Sequence, residues 1–145
     1  MELRPNKVCP VVLRRTGRSL DVLAFVHPLA GCQLVKGTIE AGEDVRAAAL
    51  PELAEESGID DAVVSRCLGL WSSGFEGQVW AFVECVPERP LPAYWAHHAP
   101  DDGGHTFRFF WQPLFHAVDE DAWHALFRGA LRFLQQAADR PEARG

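Results

Sequence analysis

Two pairs of extended runs, set on either side of one helical segment, constrain the fold of this chain more than any other feature. KVCPVVLRR (7–15) and LDVLAFVH (20–27) are rich in valine and leucine, and TGRS between them reads as a hairpin turn. Pro10 cannot donate to a ladder, so it predicts an edge or a bulge in the first run. AVVSRCLGLWSS (62–73) and QVWAFVECV (78–86) repeat the arrangement around GFEG, and HTFRFFWQPL (105–114) adds a further strand. QLVK (33–36) reads as a short extended piece and GTIEAGE (37–43) as a loop. Strands mixed with helices in this order predict an α/β fold, a mixed β-sheet with helices on both faces.

Two segments have helix character. DVRAAALPELAEES (44–57) has helix composition, with Gly58 placed to stop it in a left-handed turn. Asp119 is positioned to cap a second helix running to about Gln136. There Trp123, Leu126, Phe127, Ala130, Leu131 and Leu134 follow the spacing of one buried face. Between the last strands lies PERPLPAYWAHHAPDDGG (87–104), whose prolines and glycines predict a long irregular loop, a kind that tends to serve function. A length of 145 residues predicts one domain over 1–138, followed by a flexible tail at 139–145.

Composition narrows the function. The net charge of -6 gives no field that would draw nucleic acid or an anionic membrane. Phosphate binding would have to be local, through metal ions or a few arginines. Cys9, Cys32, Cys67 and Cys85 show neither CxxC pairs nor zinc-ligand spacing and read as buried reduced thiols. No run of 18 apolar residues and no signal-peptide pattern is present, which predicts a cytoplasmic protein. Monomer and homodimer both stay open.

The first helix carries the chemistry. Glu52, Glu55 and Glu56 stand at i, i+3 and i+4, so they share one face. They repel one another, lie at the helix end that disfavours anions, and have no Lys or Arg within 47–58. A hard divalent cation would offset this, and clusters of carboxylates alone suit Mg²⁺, Mn²⁺ or Ca²⁺. The other reading is a solvated acidic face.

The surrounding sequence decides between them. Gly37 is followed by five residues and Glu43, then seven more and Pro51-Glu52-Leu53-Ala54-Glu55-Glu56-Ser57-Gly58-Ile59. This resembles the Nudix box: G, five residues, E, seven residues, then REUxEExGU with U aliphatic. Eight of its nine specified positions match, a coincidence on the order of one in ten million at typical residue frequencies. The resemblance implies an α/β/α sandwich and a pyrophosphohydrolase that uses Mg²⁺ or Mn²⁺ to cleave a nucleoside diphosphate linked to another moiety. It also implies Glu55 and Glu56 as metal ligands, and Glu52 as a further ligand or the base that activates water. The backbone carbonyl of Lys36 would be a ligand and Glu43 would brace the loop. Gly37 and Gly42 would permit its close approaches.

The single mismatch is Pro51, where the family has arginine. Proline removes the N–H that would reach the Ala47 carbonyl, a loss of about 3 kcal/mol inside a helix. Either the helix continues with a kink, or it breaks near Leu50 and restarts with Pro51 in its first turn. Leu50 would be a poor cap, which favours the kink. The missing arginine also raises an alternative function, an impaired Nudix domain that binds a nucleotide as a sensor or partner module.

Substrate clues are sparser. The Lys36–Gly37 lead-in resembles that of diadenosine polyphosphate hydrolases, and Lys36 either contacts phosphate or stays solvated. Tyr94 and Trp95 sit in the proline-rich segment as candidate lid residues for a nucleobase, with core packing as the other option. Nearby His97, His98 and His105 are candidates for proton transfer or plain surface histidines. Arg108 alternates with Phe107 and Phe109 and so faces away from them, as a phosphate clamp or a solvated arginine. For Trp71, Phe75 and Trp80, core packing is the better expectation.

Overall fold

The chain makes two sheets that share their inner strands' hydrophobic faces with two helices. The computed structural model describes residues 3–100 and 103–138. The tail expected at 139–145 lies outside the described residues. In chain order the elements are β1 (Lys7–Val11), β2 (Leu13–Thr16), β3 (Ser19–His27), β4 (Gly31–Gln33), β5 (Gly37–Thr38) and α1 (Val45–Ser57). β6 (Ala62–Ser72), β7 (Val79–Pro87), β8 (Trp95–Ala99), β9 (His105–Pro113) and α2 (Ala125–Ala138) follow.

One sheet has the order β5-β1-β7-β6, with β1 parallel to β7 and its other pairs antiparallel. The second has the order β2-β3-β9-β8, and β4 also pairs with β3. Side-chain alternation along the inner strands feeds two cores. Val8, Leu23, Phe25, Val83, Phe107 and Phe109 pack with Ala48, Ala49 and Leu53 of α1. Cys9, Val11, Val22, Ala24, Trp80 and Phe82 pack with the apolar stripe of α2. Helices therefore cover opposite faces of a mixed layer, an α/β/α sandwich as the Nudix resemblance implies. Burial on both faces explains why β1 and β3 read as nearly unbroken apolar runs.

The structure corrects several expectations. The run 7–15 is two strands, because the chain leaves one sheet at Val12 and enters the other, where the Leu23 amide donates to the Val12 carbonyl at 2.9 Å. Pro10 is tolerated because β5 pairs only with Lys7 and Val8. Segment 87–104 is not all loop: β8 pairs with β9 from Trp95↔Phe109 to Ala99↔His105. WAHHA lacks β-branched residues, so its strand form comes from its partner rather than from local preference.

The second helix starts at Ala125, after Asp119 has closed a turn through the Asp121 amide at 2.9 Å. Trp123 is buried before the helix begins and bridges Cys32, and His124 serves as the cap, its Nδ1 accepting from the Leu126 amide at 3.0 Å. The thiols also differ from expectation. All four are free, but Cys67 is exposed on the edge strand β6, and Cys32 is half-buried. Burial raises the Cys9 thiol strongly and pushes Cys85 up to about 11. No helix among the described residues is long and apolar enough to cross a membrane.

Candidate active site

The acidic helix is built as its sequence suggests. Asp44 caps it, accepting from the Ala47 amide at 3.1 Å, and Gly58 ends it at φ 82 with its amide on the Ala54 carbonyl at 2.9 Å. The helix passes through Pro51 without a break, with the proline exposed. Leu53 is fully buried and flanked by half-buried Glu52, which fixes the rotation of the helix about its axis.

Glu52 and Glu56 both line a cleft of about 400 Å³. Lys36, Gly37 and Thr38 form one wall of it, and His27, His105 and Phe107 form another. Glu56 Oε1 accepts from the Lys36 amide at 3.3 Å, tying the helix to the segment just before the box. Glycine at position 37 leaves room for Glu52: a Cβ there would collide with the Glu52 side chain and force it to move. Gly37→Ala should therefore leave the thermal midpoint within a few degrees, since only a flexible side chain must move. Any turnover that depends on Glu52 should fall by about a hundredfold, the scale of a displacement near 1 Å in a catalytic group. Steady-state kinetics beside a melting curve checks both halves.

Other residues of the box hold the loop. Glu43 Oε1 accepts from the Glu40 amide at 3.0 Å while its own amide donates to the Glu40 carbonyl at 2.9 Å. Gly42 sits at φ 78, which suits glycine. Glu40 faces the same cleft. Glu55 is exposed and lies outside the cleft lining. Among the described residues, no group of three His, Cys, Asp or Glu side chains is arranged to hold a metal ion.

The Lys36 side chain reaches an aromatic pair at the edge of the cleft. Its Nζ lies 5.2 Å from the Trp80 ring centroid and 5.7 Å from that of Phe127, with Gln78 Oε1 at 3.5 Å. Burial lowers its pKa and neighbouring Lys7 pushes the same way, while Cys9, Glu56 and Glu76 oppose them. Trp80 is fully buried, Trp71 meets it edge-on, and Phe75 is exposed on the β6–β7 turn.

The residues expected to bind substrate do not all meet there. Tyr94, Trp95 and Arg108 line a separate cleft of about 500 Å³ with Val26, Ala96 and Phe110. Arg108 pairs with Ala96 and Val26, on the sheet face opposite His105 and Phe107. Tyr94 is 78% exposed, as a lid residue or a solvated one would be. His27 was not apparent as a site residue, although the alternation Leu23, Phe25, His27 along β3 puts it on the cleft face. Its ring lies 4.8 Å from that of His105 and 5.2 Å from Phe107.

Comparison with known proteins shows the family to which this chain belongs. A family model for the NUDIX domain matches residues 3–127, and the chain belongs to that family. No curated protein sequence matches. Among solved structures it is similar to an Ap4A hydrolase of C. elegans, with TM-score 0.61 and 17% identity over 92% of this chain and 98% of that one. An ADP-ribose pyrophosphatase of Streptococcus suis gives TM-score 0.59 and 13% identity over 96% and 97% of the two chains. A NUDIX hydrolase of Nitrosomonas europaea gives 0.59 and 17% over 96% and 94%. At these identities the likeness is one of fold.

Proposed function

We propose that the cleft holding Glu52 and Glu56 hydrolyses a pyrophosphate bond in a nucleoside diphosphate joined to another moiety. The observation that carries this reading is the meeting of both carboxylates with Lys36 and Gly37 in one cleft at the matched motif. The donor chemistry fits Mg²⁺ or Mn²⁺: two carboxylates and the Lys36 carbonyl are hard oxygen donors, and the cleft has room for the waters such ions keep. When bound, the metal supplies neutralisation of the diphosphate and a more acidic water. Glu56 holds its place through the Lys36 amide, and Glu52 through its fit against Gly37. Glu55, exposed and outside the cleft lining, would have to turn its side chain toward the cleft to join as the ligand that the family resemblance implies. Glu52 then serves as a further ligand or as the base for water. His27, His105 and Phe107 line the same cleft as these carboxylates and would border a diphosphate bound there. The protein acts in the cytoplasm, as a monomer or homodimer, on a small nucleotide substrate.

The test is hydrolysis of a panel containing ADP-ribose, diadenosine tetraphosphate, nucleoside triphosphates and nucleotide sugars. At least one should be cleaved with Mg²⁺ or Mn²⁺ and none after chelation. Pro51 favours a second reading, a nucleotide sensor with weak or no turnover. Silence across the panel, with nucleotide still raising the thermal midpoint, would support the sensor and overturn the hydrolase. Pro51→Arg is expected to raise turnover several-fold, since the exposed position accepts a long side chain and the restored N–H can reach Ala47. Equal or lower turnover in that variant would contradict a weakening role for the proline.

A further inference from the structure

The C-terminal turn of α1 is held by side chains from another strand. The last four carbonyls of an α-helix lack partners within the helix. In α1 the Ala54 carbonyl accepts from the Gly58 amide at 2.9 Å. The Ser57 carbonyl accepts from Trp95 Nε1–H at 2.9 Å. The Glu55 carbonyl stands 3.1 Å from His97 Nε2, and because a carbonyl only accepts, that nitrogen carries the hydrogen. Two alternate residues of β8 thus serve two of the orphan carbonyls. No basic residue stands in the last turn of α1 to do so from within the helix.

The donors are themselves anchored. The Trp95 ring stacks on Phe109 at 5.1 Å and 8°, and Phe109 is buried. His97 is in register with Phe107, which lines the carboxylate cleft. Its ring packs against Gly58, where a Cβ would come within 2.9 Å of Nδ1. The need for such an anchor follows from Pro51. With no N–H at that position, the half of α1 carrying Glu52, Glu55 and Glu56 is joined to the first half by one fewer hydrogen bond.

We propose that Trp95 and His97 are positioning residues that fix the last turn of α1 and so the aim of its carboxylates. This rests on those carboxylates being the metal site described under the proposed function. Neither residue touches the reacting atoms. The pair forms a clamp between the cleft wall of β9 and the catalytic helix.

The test compares the parent with Trp95→Phe, which keeps the stacking ring and loses the donor, and with His97→Leu and His97→Gln. Three quantities are read: amide hydrogen exchange segment by segment, the Mn²⁺ dissociation constant, and kcat with KM on the best substrate. In Trp95→Phe and His97→Leu, exchange over 53–59 should rise about fivefold, the factor one net hydrogen bond represents, while α2 stays unchanged. Mn²⁺ binding should weaken several-fold, and kcat should fall with KM within twofold. His97→Gln, whose amide can donate to the same carbonyl, should stay near the parent in all three. Unchanged exchange and Mn²⁺ affinity in both Trp95→Phe and His97→Leu would overturn the proposal, as would exchange that rises equally in α2. A parent that binds Mn²⁺ and shows these shifts without hydrolysing any substrate would sink the hydrolase reading and leave the clamp standing. Hydrolysis by the parent with no shift in the variants would do the reverse.

Discussion

Glu56→Gln should reduce metal-dependent hydrolysis by a factor of about 10² to 10⁴ and leave the protein folded. The substitution keeps shape and removes charge. Glu56 Oε1 accepts from the Lys36 amide at 3.3 Å, and a glutamine oxygen can accept the same bond. The join between α1 and the segment before β5 therefore survives. What disappears is one of the two negative charges lining the cleft from the helix, and with it a hard ligand for a divalent ion. Losses of two to four orders of magnitude are typical when a group acting on the reacting centre is removed. Turnover within tenfold of the parent would mean that Glu56 only holds the Lys36 segment. A thermal midpoint lowered by many degrees would mean that the variant reports folding rather than chemistry.

The second large effect is on stability. Leu53→Ala should cost about 3 kcal/mol, within the usual range for removing a buried leucine from a core. The reason is that α1 sends one large side chain fully into the core, while Val45 and Leu50 pack against it only partly buried. Its buried residues are Ala48, Ala49, Leu53 and Ser57, so Leu53 is the only large side chain among them. It is fully buried and packs in the core that includes Phe25, Phe107 and Phe109. A denaturant titration checks the loss, and a change below about 1 kcal/mol would show that the helix is held mainly by its polar ties. Because Glu52 adjoins Leu53, Mn²⁺ affinity should weaken in parallel.

The candidate cleft was legible in sequence in part, because its logic is local, although Glu55, grouped in sequence with Glu52 and Glu56, lies outside its lining. The spacing of Glu52 and Glu56, the loop glycines and the Gly58 stop are all encoded within 37–59, and helix periodicity puts the carboxylates on one face. Pairing beyond that stretch was less legible. β8 has no local strand signal, and Trp95 and His97 become meaningful only once β9 lies beside them and α1 ends against them. The division of 7–15 into two strands depends on the second sheet drawing Leu13 toward Val22. The start of α2 differs from expectation because Asp119 caps only a turn, which ends at Trp123, and the bridge of that buried residue to Cys32 delays the helix until after His124. Alternation along β9 correctly set Arg108 against Phe107, but only the sheet shows that this puts it in a different cleft from Glu52.

The central claim is that the carboxylate cleft cleaves pyrophosphate with a divalent ion. Product analysis after incubating the protein with nucleoside diphosphate derivatives, with and without Mg²⁺ or Mn²⁺, tests it most directly. Cleavage between phosphorus atoms is expected for at least one compound, abolished by chelation and by Glu56→Gln. Intact substrates throughout, at saturating metal and with the protein folded, would contradict it.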